Sequence, residues 1–153
     1  MALFLVQHGK SLPKDVDPDQ GLSDQGVAEV NRIAAVAKDY KVQVDCICHS
    51  GKTRARQTAE IFALALKPKQ GVQEKSGIKP LDDVTVFAKS IKSEENTMLV
   101  GHLPFMERLL AYLITESTEK PVFKFQNGGM VCADIDSETR SWVIKWALMP
   151  NIG

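Results

Sequence analysis

Short apolar runs and stretches with helical spacing alternate along most of the chain. A continuous apolar run is typical of a strand that is covered on both faces, and one occurs at Leu3–Val6. Two further short strands are predicted at Val44–Cys48 and Thr97–Val100. Apolar residues that recur at helical intervals predict helices over Asp24–Asp39, Thr53–Leu66, Leu81–Ile91 and Leu103–Ile114. Strands that alternate with helices favour an α/β fold.

Local signals mark where several of these elements begin and end. Ser23 is suited to cap the first helix, with the acidic Asp24 in its first turn. Pro68 stops the second helix, and Pro104 fits the first turn of the last one. Between them, the polar segment Lys67–Lys79 has room for a short edge strand at most.

The last third of the chain has a different pattern. Short strands are predicted at Val122–Phe125, Met130–Ile135 and Ser141–Leu148, joined by turns, and this pattern indicates an antiparallel hairpin at one edge of the sheet. The expected architecture is a three-layer α/β/α fold with a mostly parallel central sheet. Its 153 residues correspond to a single domain over residues 1–153.

Composition and charge narrow the classes of function. Lys plus Arg and Asp plus Glu number 19 each, so no large field attracts nucleic acid or an anionic membrane. The sequence shows no membrane-spanning run and no signal peptide, and its 3 cysteines lack a disulfide framework. We therefore expect a soluble, cytoplasmic protein, and any anion site must be local.

Residues around the second predicted strand partly match two known kinds of phosphate-binding loop. Ser50–Thr53 resembles the end of a nucleotide P-loop, but the glycine required five positions before Gly51 is Cys46. Cys48 and Arg54 have the spacing of cysteine-dependent phosphatases, in a loop poor in glycine. A metal site at Cys46, Cys48 and His49 lacks a fourth ligand. Both cysteines are better interpreted as small apolar residues on one strand face.

A third interpretation combines His8, Arg54 and His102. Each follows a predicted strand, and a right-handed βαβ topology brings the carboxyl ends of such strands to one edge of the sheet. Phosphoryl transfer needs an in-line nucleophile and fixed positive charge on the phosphoryl oxygens. A neutral His8 can attack, while Arg54 and a protonated His102 hold the oxygens. His102 also precedes a helix N-terminus, which favours an anion.

Four ordered motifs resemble those of the histidine phosphatase superfamily, with its phosphoglycerate mutase-like fold. They are Leu3–Gly9 against apolar-Arg-His-Gly, Leu22–Gly26 against Leu-Thr-x-x-Gly, Ser50–Ala59 against Ser-x-x-x-Arg-Ala-x-Gln-Thr-Ala, and Val100–Pro104 against Val-Gly-His-x-Pro. The short chain resembles the SixA-type phosphohistidine phosphatases in particular. The resemblance implies that His8 is the phosphorylated nucleophile, and that Arg54 and His102 line the phosphate pocket.

One position departs from the family pattern, because Gln7 replaces the arginine that precedes the nucleophile. Losing a charged hydrogen bond weakens phosphate binding by ~1 to 2 kcal/mol, and losing a preorganised donor slows the reaction by ~10² to 10³. Lys10 or Lys52 is the candidate replacement cation, and Ser50 is a further auxiliary residue. Gln7 itself still offers one neutral N–H to phosphate.

The expected function is hydrolysis of phosphohistidine on a signalling protein, such as a histidine-phosphotransfer domain, without metal or other cofactor. Imidazole leaves readily once it is protonated near neutral pH. Two other functions stay open: a catalytically impaired phospho-ligand binding or regulatory protein, and a phosphatase of small phosphomonoesters. The last needs a general acid, for which Glu74, Asp82 and Asp83 are the weak candidates. The sequence predicts no oligomeric state.

Overall fold

Six strands form one sheet in the order β3-β2-β4-β1-β5-β6 in a computed structural model that describes residues 1–92 and 94–152. The strands are β1 (Leu3–Gln7), β2 (Cys46–His49), β3 (Val72–Glu74), β4 (Thr97–Gly101), β5 (Met130–Ile135) and β6 (Trp142–Leu148). Strands β3, β2, β4 and β1 are parallel to one another. Strand β5 pairs antiparallel with β1, and β6 pairs antiparallel with β5. The predicted mostly parallel sheet with a C-terminal antiparallel hairpin is confirmed, with Val72–Glu74 as the short edge strand.

Four helices cover the two faces of this sheet. They are α1 (Asp24–Asp39), α2 (Thr53–Leu66), α3 (Val84–Ala88) and α4 (Phe105–Thr115). Alternate residues of β1 point to opposite faces: Phe4 and Val6 pack with α1 and α2, whereas Leu3 and Leu5 pack with α3 and α4. The result is the predicted three-layer α/β/α architecture, and both α1 and α2 have the predicted bounds.

Two predicted elements are wrong. Only Val84–Ala88 of the predicted helix Leu81–Ile91 is helical, because Asp83 caps it by accepting from the Thr85 N–H, and both the N–H and the hydroxyl of Ser90 donate to the Phe87 carbonyl. The predicted strand Val122–Phe125 has no regular structure. Its apolar side chains pack onto the face covered by α3 and α4 without pairing in the sheet.

Capping and helix-terminating residues mark the ends of three helices. The Ser23 hydroxyl accepts from the Gly26 N–H at 3.0 Å, as expected for the cap of α1. Helix α2 ends at Leu66, with the left-handed residue Lys67 before Pro68. Pro104 is the capping residue of α4 instead of a member of its first turn. None of the helices in the described ranges is both long and apolar enough to span a membrane.

Candidate active site

Strand register brings His8 and His102 side by side. In the parallel pair of β1 and β4, Gln7 lies opposite Gly101, and the His8 N–H continues the ladder by donating to the Gly101 carbonyl at 2.9 Å. The histidines that follow these paired residues have ring centroids 4.9 Å apart, with planes inclined by 53°. The carboxyl ends of two neighbouring strands therefore present two imidazoles to one site.

Arg54 reaches the same site from the first turn of α2. Its Nε donates to His8 Nε2 over 3.3 Å. Strand β2, which precedes α2, is the neighbour of β4 in the sheet, so the turn between β2 and α2 lies at the same edge as both histidines. The three residues predicted from the sequence to meet are brought together by the fold.

The tautomer of His8 follows from its two contacts. Its Nδ1 lies 2.7 Å from the Gly9 carbonyl oxygen, which only accepts hydrogen bonds, so Nδ1 carries the proton. The other nitrogen, Nε2, is unprotonated, and its lone pair accepts the hydrogen bond from Arg54 Nε. Burial lowers the pKa of His8, the Gly9 carbonyl opposes this shift, and Arg54 adds a smaller lowering. His8 is thus a neutral imidazole with Nε2 available as a nucleophile.

His102 is more enclosed than His8. It is 2% exposed, its Nε2 lies 2.6 Å from Ser50 Oγ, and its buried Nδ1 has no hydrogen-bond partner in the described part of the chain. Burial lowers the pKa of His102 to about 3, assisted by His8, Arg54 and Lys52. The expectation of a protonated His102 is therefore wrong for this site, because desolvation and neighbouring cations keep the ring neutral.

The auxiliary residues occupy different positions. Gln7 is partly buried, and its Oε1 has no partner among residues 1–92 and 94–152. Lys10 is exposed, with Nζ 4.0 Å from Glu29 Oε1. Lys52 is also exposed, but its charge contributes to lowering the pKa of His102. Lys52 is thus the better placed of the two lysines to supplement Arg54 at the site.

Three polar residues that sequence reasoning had not assigned to the site hold its loops. The Gly9 N–H donates to Thr58 Oγ1 at 3.0 Å, the Leu22 N–H donates to Gln57 Oε1 at 2.7 Å, and Asn127 Nδ2 donates to the His8 carbonyl at 2.9 Å. Thr58 lies on the buried face of α2. The signal for Gln57 and Thr58 was their place in the motif that contains Arg54.

The competing cysteine and metal sites lack support. Cys46 and Cys48 lie in the apolar cluster on the α3 and α4 face, with sulfurs 3.5 Å apart. Burial raises the pKa of Cys48 to about 12, assisted by Cys46, so Cys48 is a thiol and not a nucleophilic thiolate. Within the two described ranges, no three His, Cys, Asp or Glu side chains are grouped to hold a metal ion.

A polar cleft of about 560 Å³ adjoins the site at Ser50. Glu74 and Asp82 line it, together with Lys75 and Lys79. The Glu74 carboxylate packs against Gly51 so closely that a Cβ there would lie 2.0 Å from Oε1. The third acid candidate, Asp83, instead caps α3. Of the three candidate acids, Glu74 and Asp82 therefore line this cleft.

The histidine phosphatase superfamily (branch 1) matches residues 3–80, a little over half of the chain. The chain belongs to this superfamily, whose members are phosphatases. The match contains His8 and Arg54, and His102 lies beyond it. No curated protein sequence shows a significant match.

Solved structures support the same assignment of fold. The protein histidine phosphatase SixA complexed with tungstate is 24% identical, with a TM-score of 0.81 over 98% of this chain and 97% of that one. A structure from Agrobacterium tumefaciens assigned as phosphohistidine phosphatase SixA is 25% identical, with a TM-score of 0.77 and 97% coverage of both chains. A phosphoserine phosphatase from Entamoeba histolytica in complex with 3-phosphoglyceric acid has a TM-score of 0.69 at 16% identity, with 95% coverage of both.

Proposed function

We propose that this chain is a protein phosphohistidine phosphatase that works through a phosphohistidine intermediate at His8. The observation that carries the proposal is the unprotonated Nε2 of His8, directed at Arg54 Nε over 3.3 Å. A nucleophile and a guanidinium at this separation suit a phosphoryl group, which needs in-line attack and charge on its oxygens. His102 completes the pocket at 4.9 Å from His8.

The reaction divides into two displacements. The lone pair of His8 Nε2 attacks phosphorus, the bond from phosphorus to the substrate imidazole breaks, and that imidazole, already protonated on its other nitrogen, leaves as a neutral ring. Water then attacks the phosphoryl group on His8, which releases phosphate and restores the lone pair of Nε2. Arg54 stabilises the charge on the phosphoryl oxygens in both steps. The chain's own residues supply the nucleophile and the cation, and no cofactor enters this scheme.

The substrate class follows from the demands of the leaving group. A protonated imidazole leaves without a strong general acid, whereas an alkoxide does not. The similarity to SixA structures also favours a phosphohistidine on a protein, such as a histidine-phosphotransfer domain. Gln7 lowers turnover relative to a site with arginine there, and if it abolishes turnover, the same pocket serves a phospho-ligand binding or regulatory protein.

The second candidate function is hydrolysis of a small phosphomonoester. The position of Glu74 favours it, since this carboxylate lines the cleft beside Ser50 and can donate a proton to an alkoxide when it is protonated. Replacing Glu74 by Gln separates the two functions. We expect phosphohistidine hydrolysis to be unchanged and hydrolysis of an alkyl phosphate such as phosphoserine, where present, to fall, because only the alkoxide leaving group needs the acid.

The test of the main proposal is direct detection of the intermediate. A histidine-phosphotransfer domain carrying labelled phosphohistidine is mixed with the protein, and the products are separated under alkaline conditions because phosphohistidine is acid-labile. We expect label on the wild type and on Cys48→Ser, and none on His8→Ala. Phosphate binding without label on the wild type would favour the binding protein. Loss of label with Cys48→Ser in a folded protein would restore the thiolate mechanism.

A further inference from the structure

Because His102 is neutral, it can donate to an anion only through the one ring nitrogen that carries a proton. A neutral imidazole has one N–H and one lone pair. Ser50 Oγ contacts Nε2 at 2.6 Å, and Nδ1 is buried without a partner in the described part of the chain. If the proton were on Nε2, Nδ1 would carry a lone pair, and a phosphoryl oxygen brought against it would be repelled.

We propose that Ser50 is a positioning residue that donates its O–H to His102 Nε2 and so holds the proton of the neutral ring on Nδ1. This inference rests on the proposed function, because it takes the phosphoryl group as the ligand of Nδ1. His102 then donates a hydrogen bond to a phosphoryl oxygen without becoming an imidazolium. One hydroxyl thereby selects the tautomer that suits an anion.

The fold places Ser50 for this role. His49, the last residue of β2, lies opposite Val100 of β4. Ser50 and Gly101 are the next residues after this pair, and His102 follows Gly101 directly. Ser50 is 7% exposed, and its hydroxyl has no second hydrogen bond within residues 1–92 and 94–152 that would compete for its proton. Gly51 follows at φ +93°, and its N–H donates to His49 Nδ1 at 3.0 Å. This turn holds Ser50 against the imidazole.

The surroundings of His102 oppose the alternative in which the ring is charged. The groups whose charges act on it are His8 from the end of β1, Arg54 from α2 and Lys52 just before α2. Each is a cation or becomes one on protonation, so each disfavours an imidazolium. A neutral donor avoids this repulsion and leaves Arg54 as the fixed charge beside His8.

The tautomer can be read directly by NMR. Long-range ¹H–¹⁵N spectra of protein labelled at histidine distinguish a protonated ring nitrogen from an unprotonated one, and they are recorded at pH 7 with and without inorganic phosphate. We expect the proton of His102 on Nδ1 in the phosphate complex. Ser50→Ala should shift the proton partly or wholly to Nε2 and weaken phosphate binding by about tenfold, the effect of one lost hydrogen bond to a charged group.

Two further variants show whether the hydroxyl itself is responsible. Ser50→Thr keeps the hydroxyl and should restore the Nδ1–H tautomer, while Ser137→Ala, at an exposed turn between β5 and β6, should change neither tautomer nor affinity. A proton on Nε2, or an imidazolium, in the wild-type phosphate complex would overturn the proposal. So would Ser50→Ala with wild-type tautomer and affinity. If the wild type binds no phosphate, the proposed function fails, whereas a proton on Nδ1 of the free protein still supports the role of Ser50.

Discussion

Gly9 and Thr58 are joined by a buried hydrogen bond that connects the two halves of the candidate site. The Gly9 N–H donates to Thr58 Oγ1 at 3.0 Å, and the same hydroxyl donates to the Arg54 carbonyl at 2.8 Å. One side chain of α2 therefore contacts both the residue that follows His8 and the residue that supplies the guanidinium. We expect the 3.3 Å contact of His8 with Arg54 to depend on this link.

Replacing Thr58 by Val should damage both stability and activity. Valine has nearly the same shape but leaves the buried Gly9 N–H without an acceptor, at a cost of ~1 to 3 kcal/mol. Thr58→Ser keeps the hydroxyl and is the matched control. Urea denaturation and hydrolysis of phosphohistidine measure the two effects. Equal stability and activity of the Val and Ser variants would show that the hydrogen bond does not hold the site.

Arg54→Lys should reduce phosphohistidine hydrolysis by ~10² to 10³. Lysine keeps the charge but loses the planar fork that binds two phosphoryl oxygens at once. Arg56→Lys is the control, since Arg56 is exposed and lies two residues further along the same helix. Steady-state kinetics of both variants provide the comparison. Comparable losses in the two would indicate an effect on α2 as a whole instead of a role for Arg54 in the reaction.

Gln7→Arg should raise activity. The substitution restores the cation that the family pattern has at this position, with an expected gain of ~1 to 2 kcal/mol in phosphate binding and of ~10-fold or more in turnover. Gln25→Arg adds the same charge on the exposed face of α1 and should have little effect. Titration calorimetry with phosphate, together with kinetics, tests both. Unchanged affinity and turnover in Gln7→Arg would mean that Lys52 or another group already supplies the charge.

We expect the free energy of unfolding to fall at acidic pH because of the lowered pKa of His102. Its pKa is about 3 in the folded protein, against 6.5 ordinarily, so between these values the unfolded chain binds a proton that the folded chain does not. The free energy of unfolding therefore falls as the pH is lowered from about 6.5 toward 3, by at most ~1.4 kcal/mol per pH unit. Above pH 6.5 neither state is protonated, and this contribution is constant.

The variant His102→Gln isolates that contribution from the carboxylates. Urea denaturation of both proteins at several pH values should show that the wild type loses free energy of unfolding relative to the variant as the pH falls. A difference that does not depend on pH between 7 and about 4 would mean that His102 titrates normally in the folded protein.

Much of the architecture follows from local sequence. The apolar runs Leu3–Val6 and Thr97–Val100 became adjacent central strands, and the helices Asp24–Asp39 and Thr53–Leu66 have the predicted bounds. Periodicity and capping are properties of neighbouring residues, which is why a single sequence reveals them. The meeting of His8, Arg54 and His102 was predictable for the same reason, since each follows or begins an element at one edge of a parallel sheet.

Tertiary structure decided what those residues can do. The charge of His102, the partner of Ser50 and the hydroxyl contacts of Thr58 depend on burial and on groups tens of residues away in the chain, which no local pattern records. The same holds for Val122–Phe125, whose apolar side chains pack against the core although the segment does not pair in the sheet. Sequence alone thus determined which side chains meet at the sheet edge, and only packing determined their protonation and the hydrogen bonds that orient them.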